Sequence, residues 1–406
     1  MKIMPPPPDR AEELYDLVAK VFSTNGYFQF LEFCRKAYFD GSSYDWAVSR
    51  VAESDGRLVG HVGIWRYRMR VGGARLLTGG IGAVGTHADY RRRGVAAACM
   101  RAVMQAMAGA GYHYSMLFGL RNFYHRWGFA QAWPNTRLLA KVEDLPDEKL
   151  RFTLREVPLT EALCGRGAVM RIYNREHAAR TGTAKRPIYT RKGGQWLNAE
   201  CRTLSDAAGR VRGYLITHKA GDDLQVCEVG GLGPTCGVGQ VLAAIRRLAA
   251  RAGCRRVCTS QMAYNHLLCQ ALRGCTCSVE MHHTRSGGAM GAVVSLRGCL
   301  EAMAGELTER LRRSALKKFR GTLAMEGAGE KVALAISNGS IRVAAAKVRT
   351  ANRILAGQEI ARLLIGSEAP SVLAAQSQVS LHGAATELAE VLFPQQWPML
   401  NQLDHY

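Results

Sequence analysis

The sequence predicts an α/β protein (α+β in its last part) in which two tandem mixed-sheet domains are followed by a small α+β module. Three observations carry this. Extended apolar runs alternate with amphipathic helical patterns over the first 300 residues. The same order of strand, strand, helix and strand recurs in both halves of that stretch. The texture then changes to an alanine-rich helix and a hairpin. A chain of 406 residues, 48% hydrophobic and 21% charged, is long enough for two or three domains and too apolar to be disordered.

Asp9 followed by Glu12 reads as a capping-box helix start, and Leu14, Leu17, Val18, Val21 and Phe22 then recur at helical spacing. Residues 46–53 and 58–71 read as strands flanking the Asp55-Gly56 turn, a strong hairpin signal. Residues 76–86 form a third extended, glycine-rich run. In the helix that follows, Val95, Cys99, Val103 and Met107 repeat every four residues until Gly109 and Gly111 end it, and 112–119 is extended again. In the second half, 213–218 and 224–232 read as strands, 238–252 as a helix and 256–260 as the next strand. The similar spacing predicts a duplication. The last part reads as a helix over 300–319, a hairpin of 332–336 and 341–345 about Asn338-Gly339, and short helices at 359–365 and 385–392. Its tail carries Phe393-Pro394, Trp397-Pro398 and Asp404-His405-Tyr406.

Lys plus Arg number 54 against 33 Asp plus Glu, a formal charge of +21 that attracts nucleic acid, acidic membrane surfaces or phosphorylated cofactors. The best candidate for a membrane helix, 94–110, is interrupted by Arg101, so no membrane span is expected. Residues 1–8 hold four prolines and no apolar signal core, and the 12 cysteines are scattered among apolar residues. Both predict a cytoplasmic, reducing location. Cys254/Cys258 and Cys275/Cys277, near His282 and His283, follow CxxxC and CxC spacings rather than the paired CxxC of a zinc site, so no metal is expected.

The chemistry concentrates in Thr86-His87-Ala88-Asp89-Tyr90-Arg91-Arg92-Arg93-Gly94-Val95-Ala96, between a strand and a helix. Unpaired N–H groups and the positive end of the helix dipole converge where three arginines lie. Gly94 lets the backbone approach a phosphate, and Ala96 keeps the wall low. The implied ligand is a pyrophosphate. One strand downstream, Leu117 leads through Gly119, Leu120 and Tyr124 to Gly128-Phe129.

Together these segments resemble the GNAT acetyltransferase superfamily, in which R/Q-x-x-G-x-G/A binds the coenzyme A pyrophosphate. A Tyr five residues before the Phe of a Gly-Phe pair sits at the thioester there, as Tyr124 stands before Phe129. Length, the duplication, the C-terminal module and the tail resemble the enhanced intracellular survival type. That resemblance implies a catalytic GNAT domain over 1–145 and a degenerate GNAT-like domain over 146–297. Residues 298–406 would be a sterol-carrier-like domain whose tail reaches the active site.

The resemblance further implies an acetyl-CoA-dependent N-acetyltransferase that moves acetyl directly to a primary amine. Val84, Gly85 and Thr86 would offer backbone N–H groups to pantetheine and thioester. Arg92, Arg93, Gly94, Val95, Ala96 and Ala97 would hold the pyrophosphate, with Gly119 and Leu120 on the facing strand. Tyr124 would be the general acid and the carboxylate of Tyr406 the general base, in a homo-oligomer of trimers or hexamers. Residues 234–240 have glycines but no arginine triplet, so no second cofactor is expected. His61, His87, His113 and His125 are alternative bases. The family's amines are polycations, for which Asp40, Asp45, Glu32 and Trp46 are candidate ligands. The resemblance thus implies an aminoglycoside-like amine, and because the first domain is basic a lysine side chain, a peptide amine or a small arylalkylamine stays open beside it.

Two readings of other classes stand beside this. A nucleic-acid-binding protein would use Arg246-Arg247, Arg251 and Arg255-Arg256, and a lipid carrier would use the alanine-rich stretch 332–347.

Overall fold

The computed structural model describes residues 1–23, 26–39, 42–186, 198–344 and 350–406. The first part of the chain forms β1 (Lys2–Met4), α1 (Ala11–Phe22), α2 (Tyr27–Phe33), β2 (Arg50–Ser54), β3 (Arg57–Val71) and β4 (Ala74–Thr86). It continues through α3 (Val95–Gly109), β5 (Tyr114–Gly119) and β6 (Ala130–Trp133). Next come β7 (Asn135–Lys141), β8 (Thr153–Val157), α4 (Leu159–Cys164), α5 (Ala168–Glu176), β9 (Glu200–Ser205) and β10 (Val211–Ala220). Then follow β11 (Asp223–Gly230), α6 (Val238–Arg251), β12 (Arg256–Ser260), α7 (Leu267–Leu272) and β13 (Cys277–His282). The last part holds β14 (Gly288–Val293), α8 (Leu296–Arg312), β15 (Gly321–Gly327), β16 (Glu330–Ser337), β17 (Ser340–Ala344) and β18 (Arg353–Leu355). It ends with α9 (Ile360–Leu364), α10 (Pro370–Ala375), β19 (Ser380–His382) and α11 (Ala385–Leu392).

The first sheet runs β1-β2-β3-β4-β5-β14-β6 and the second β8-β9-β10-β11-β12-β7-β13. Each is antiparallel except at one central pair, β4 with β5 and β11 with β12. The expected duplication is therefore a duplication of sheet topology, with one exchange. β7, which the sequence reading places before residue 145, pairs with β12 and β13 in the second sheet. β14, which that reading places before residue 297, fills the matching position between β5 and β6 in the first. The cause is local. Only Pro134 separates β6 from β7, and a hairpin needs about two turn residues, so β7 cannot fold back on β6. The two compact units of the chain follow the exchange. One comprises residues 1–133, 285–396 and 406, the other residues 134–284 and 397–405.

In the first unit the helical repeat of α3 is its core stripe: Val95, Cys99, Val103 and Met107 are buried against Ile64, Ile81 and Leu117. The C-terminal sheet of the same unit runs β17-β16-β15-β18-β19. Its hairpin turns at Asn338 and Gly339, both at positive φ (50° and 66°), the conformation a tight two-residue turn requires. In the second unit α6 buries Val241, Ala244, Ile245 and Leu248 against Leu215, Val226 and Val257.

Some element ends differ from the sequence reading. Helix α1 starts at Ala11, after a 3-10 turn at Pro8–Arg10, and Asp9 makes no capping bond. Residues 46–49 are a turn, not a strand, because Asp45 accepts from the backbone N–H of Val48 (3.1 Å). Helix α8 begins at Leu296, where the Ser295 hydroxyl accepts from Gly298 N–H, and ends at Arg312, before the separate turn Ala315–Lys318. Among the described residues no helix is long and apolar enough to cross a membrane.

Candidate active site

The candidate site lies within the first unit, residues 1–133, 285–396 and 406. Strands β3 and β4 pair along their whole length but slip register between His61 and Gly63. Across the slip Ala83 adopts φ +47°, a bulge conformation that costs a residue with a Cβ about 1–3 kcal/mol. His61 holds it. This imidazole is 1% exposed. Its Nδ1 is 2.9 Å from the Ala83 carbonyl and its Nε2 2.8 Å from the Tyr44 hydroxyl. Burial pushes its pKa down to about 4, so at neutral pH the ring is uncharged, with Nδ1–H donating and Nε2 accepting. The parallel pairing of β4 with β5 runs from Thr78/Tyr114 to Ile81/Leu117 and stops. Beyond it β4 continues with β3 alone. The outer edge of Val84, Gly85 and Thr86 thus has no ladder partner among the described strands.

The same strand leads into the arginine segment. Arg92 and Gly94 are both at positive φ, 62° and 78°, and Gly94 is the residue from which α3 springs. No side chain caps the helix, so the N–H groups of its first turn, at Val95, Ala96 and Ala97, lack the partner that a capping side chain would supply. A Cβ at Gly94 would meet nothing within 4 Å, which leaves open space over the notch. Arg92 and Arg93 are exposed, and the Arg93 guanidinium lies 5.3 Å from the centre of the Tyr90 ring. Exposed cations, open backbone donors and a helix dipole at one point fit a diphosphate.

Tyr124 opens a 3-10 turn, Tyr124–Trp127, closed by Gly128 at φ +81°. Its ring lies directly on Gly119, where any side chain would collide with it. Around it stand Phe123 (4.9 Å between centroids), Trp127 (6.1 Å) and Phe129 (6.2 Å). Burial raises the pKa of its hydroxyl, so the phenol keeps its proton at neutral pH. Leu120, the neighbour of Gly119, is half exposed.

Tyr406 lies at the mouth of the splay. Its ring covers Gly80 and approaches those of Tyr67 (5.9 Å) and Phe118 (5.8 Å). A Cβ at Gly82 would stand 2.9 Å from the Trp65 ring, 3.1 Å from the Tyr38 hydroxyl and 3.2 Å from the main-chain carbonyl carbon of Tyr406. The glycine run in β4 thus makes room for rings. The candidate substrate ligands are not gathered there. Asp45 accepts from the Tyr112 hydroxyl (2.6 Å), Glu32 pairs with Lys36 one helical turn away, and Trp46 stacks edge-on against Tyr44. Asp40 lies outside the described residues. Of the other histidines, His87 caps the turn at Ala88–Tyr90, His113 Nδ1 accepts from Leu77 N–H, and His125 is exposed.

A family model described as "Acetyltransferase (GNAT) domain" matches residues 3–132. Residues 3–132 form a GNAT acetyltransferase domain. The protein is an acyltransferase, and solved structures share its fold over the whole chain. A GCN5-related N-acetyltransferase from Anabaena variabilis is 17% identical with a TM-score of 0.77, covering 100% of both chains. A probable N-acyltransferase from Enterococcus faecalis is 18% identical, TM-score 0.78, covering 100% of this chain and 99% of that one. Eis1 from Mycobacterium abscessus is 15% identical, TM-score 0.71, with 99% of each chain covered. No curated protein sequence matches the chain.

The second GNAT-like sheet has a different loop before its helix. Gly231 N–H donates to the Glu176 carboxylate (2.9 Å), and the Glu148 carboxylate lies against Gly239 in the first turn of α6. The protein's own anions stand at this helix start. In the same unit the tail is clamped. Arg186 is fully buried and donates to both Glu228 (2.7 and 2.6 Å) and Asp404 (2.7 and 3.0 Å), with Tyr173 and Tyr214 donating to the same carboxylates. Sequence reasoning missed this clamp and the His61–Ala83 bond. Both join residues far apart in the chain, and only the glycine spacing in β4 hinted at the second.

Proposed function

We propose that the protein transfers an acetyl group from acetyl-CoA to a primary amine by direct attack, with no covalent enzyme intermediate. The observation that carries this is the continuity of one element: β4 loses its β5 partner after Ile81 and then delivers Gly94, at φ +78°, to the start of α3. In this reading Arg92 and Arg93, with the N–H groups of Gly94, Val95, Ala96 and Ala97, hold the diphosphate. The free edge at Val84, Gly85 and Thr86 takes the pantetheine and orients the thioester carbonyl, with Gly119 and Leu120 across the gap. When bound, acetyl-CoA supplies the activated acyl group. Tyr124 keeps its proton at neutral pH and donates it to the departing thiolate. The carboxylate of Tyr406 removes a proton from the amine, directly or through one water. Cys99 offers no competing nucleophile, since burial pushes its thiol up to about 12.

Residues 298–406 are proposed to be a sterol-carrier-like module, and the chain to act in the cytoplasm as a homo-oligomer. The test of the catalytic reading is calorimetric titration with acetyl-CoA beside a coenzyme A release assay over a panel of amines. Tyr124→Phe is expected to lower kcat by about 100-fold or more while acetyl-CoA affinity holds. Absence of acetyl-CoA binding would overturn the reading, and unchanged turnover in Tyr124→Phe would remove Tyr124 from it.

A further inference from the structure

We infer that the second GNAT-like sheet is a peptide-binding site whose ligand is the chain's own segment 399–404, an apolar peptide ending in a carboxylate, seated in the splay between β11 and β12. This goes beyond the acetyl-transfer reading and stands on the second unit alone.

The second sheet repeats the geometry of the first. Strands β10 and β11 slip register between Ile216 and Thr217, which leaves Cys227 bulged, and the parallel pairing of β11 with β12 ends at Val226/Thr259. In the first sheet the matching opening is the free edge of β4. In the second, the tail lies in it. The Asn401 side-chain amide donates to the Cys227 carbonyl on β11 (3.1 Å). On the other side Ala263 N–H, three residues past β12, donates to Met399 Sδ (3.4 Å). One short segment is thus bonded to the chain on both sides of the splay.

These contacts select a sequence. Met399 N–H donates to the Thr181 carbonyl (3.1 Å). Gly182, at φ +90°, makes room for that approach, since a Cβ there would stand 2.5 Å from the Met399 carbonyl oxygen. Leu403 packs with Tyr214, Ile216 and Cys227. Asp404 accepts from Arg186 (2.7 and 3.0 Å) and from the Tyr173 hydroxyl (3.1 Å). Asn401 and Asp404 are each 3% exposed. A buried amide or carboxylate is costly without its partner, so each bond demands one side chain at one position of the ligand. A diphosphate is disfavoured in the same sheet, because Glu148 and Glu176 stand at the start of α6. The site therefore takes a peptide in place of a nucleotide.

The experiment weakens the tail in the full-length protein with Asn401→Ala and Asp404→Ala together, a change in which Arg186 keeps Glu228 as its partner. A fluorescein-labelled peptide spanning 397–406 is then added and its anisotropy followed. It is expected to bind this variant about tenfold or more tighter than wild type, whose site is filled by its own tail. The same peptide carrying Asp404→Asn should bind the variant about tenfold more weakly, as loss of a charged hydrogen bond predicts. No binding of the unaltered peptide to the folded variant overturns the inference, as does equal binding of the two peptides. Hydrogen exchange on wild type decides the matter if the variant does not fold. The amides of Met399, Leu403 and Asp404 should be protected as well as those of β11, and exchange at free-peptide rates overturns the assignment.

Discussion

At the scale of single residues, the bulge in β4 beside the splay depends on one buried histidine. His61 spans the Tyr44 hydroxyl and the bulge carbonyl of Ala83, and burial keeps its ring uncharged at neutral pH. Its pKa falls from 6.5 to about 4 on folding. The unfolded chain therefore binds the proton first as pH drops. Stability from this group is complete above pH 6.5 and is lost as pH falls toward 4, by about 3 kcal/mol in all. Equilibrium unfolding followed by circular dichroism across that window should show the loss, and His61→Asn should reduce the slope, leaving the part that His266, His113 and His218 contribute through their own burial. Equal slopes in wild type and His61→Asn would mean that His61 is not buried neutral.

The legibility of the site follows from sequence distance. Gly94 and Tyr124 could be read as candidates because each signal is written in its immediate neighbours: arginines and a helix start for one, Gly128-Phe129 for the other. His61 could not, because its partner Ala83 is 22 residues away and is fixed by a register slip that no local pattern announces. Glu32, one of the candidate amine ligands, is the converse case. Glu32 and Lys36 satisfy each other four residues apart, a local pairing that the sequence spacing already contains.

At the scale of elements, β4 is built so that rings can lie on it. Gly80 gives its space to the Tyr406 ring and Gly82 to Trp65 and Tyr38. Gly80→Ala would drive the Tyr406 ring off the strand while leaving the pairing of β4 with β3 and β5 intact. Its kcat is expected to fall about tenfold to 100-fold, since a displaced reacting group loses orientation, with acetyl-CoA affinity held. Unchanged kcat in that variant would separate Tyr406 from the chemistry. The tail in the second unit makes a second case. Arg186→Met strands Glu228 and Asp404 as two buried carboxylates, a loss of about 3–5 kcal/mol. Changing all three, with Glu228→Gln and Asp404→Asn, should recover much of that stability. Limited proteolysis between 397 and 405 should be rapid in the single variant and slow in the triple one.

At the scale of the whole molecule, the exchange of β7 and β14 decides what can fold alone. The sequence reads as consecutive domains because its helix and strand patterns repeat. Pairing partners, however, are set by which edges a strand can reach, and Pro134 denies β7 the hairpin that a consecutive domain would need. A fragment ending at residue 145 would contain every residue of the GNAT family match yet lack β14, the strand between β5 and β6. Two ladder edges would then lie open beside the apolar residues Met290 and Ala292 normally cover. That fragment is expected to be insoluble or unfolded by heteronuclear NMR, and addition in trans of a peptide spanning 285–296 should improve its solubility. A soluble, cooperatively folding 1–145 that binds acetyl-CoA would show that the strand exchange is dispensable for the site.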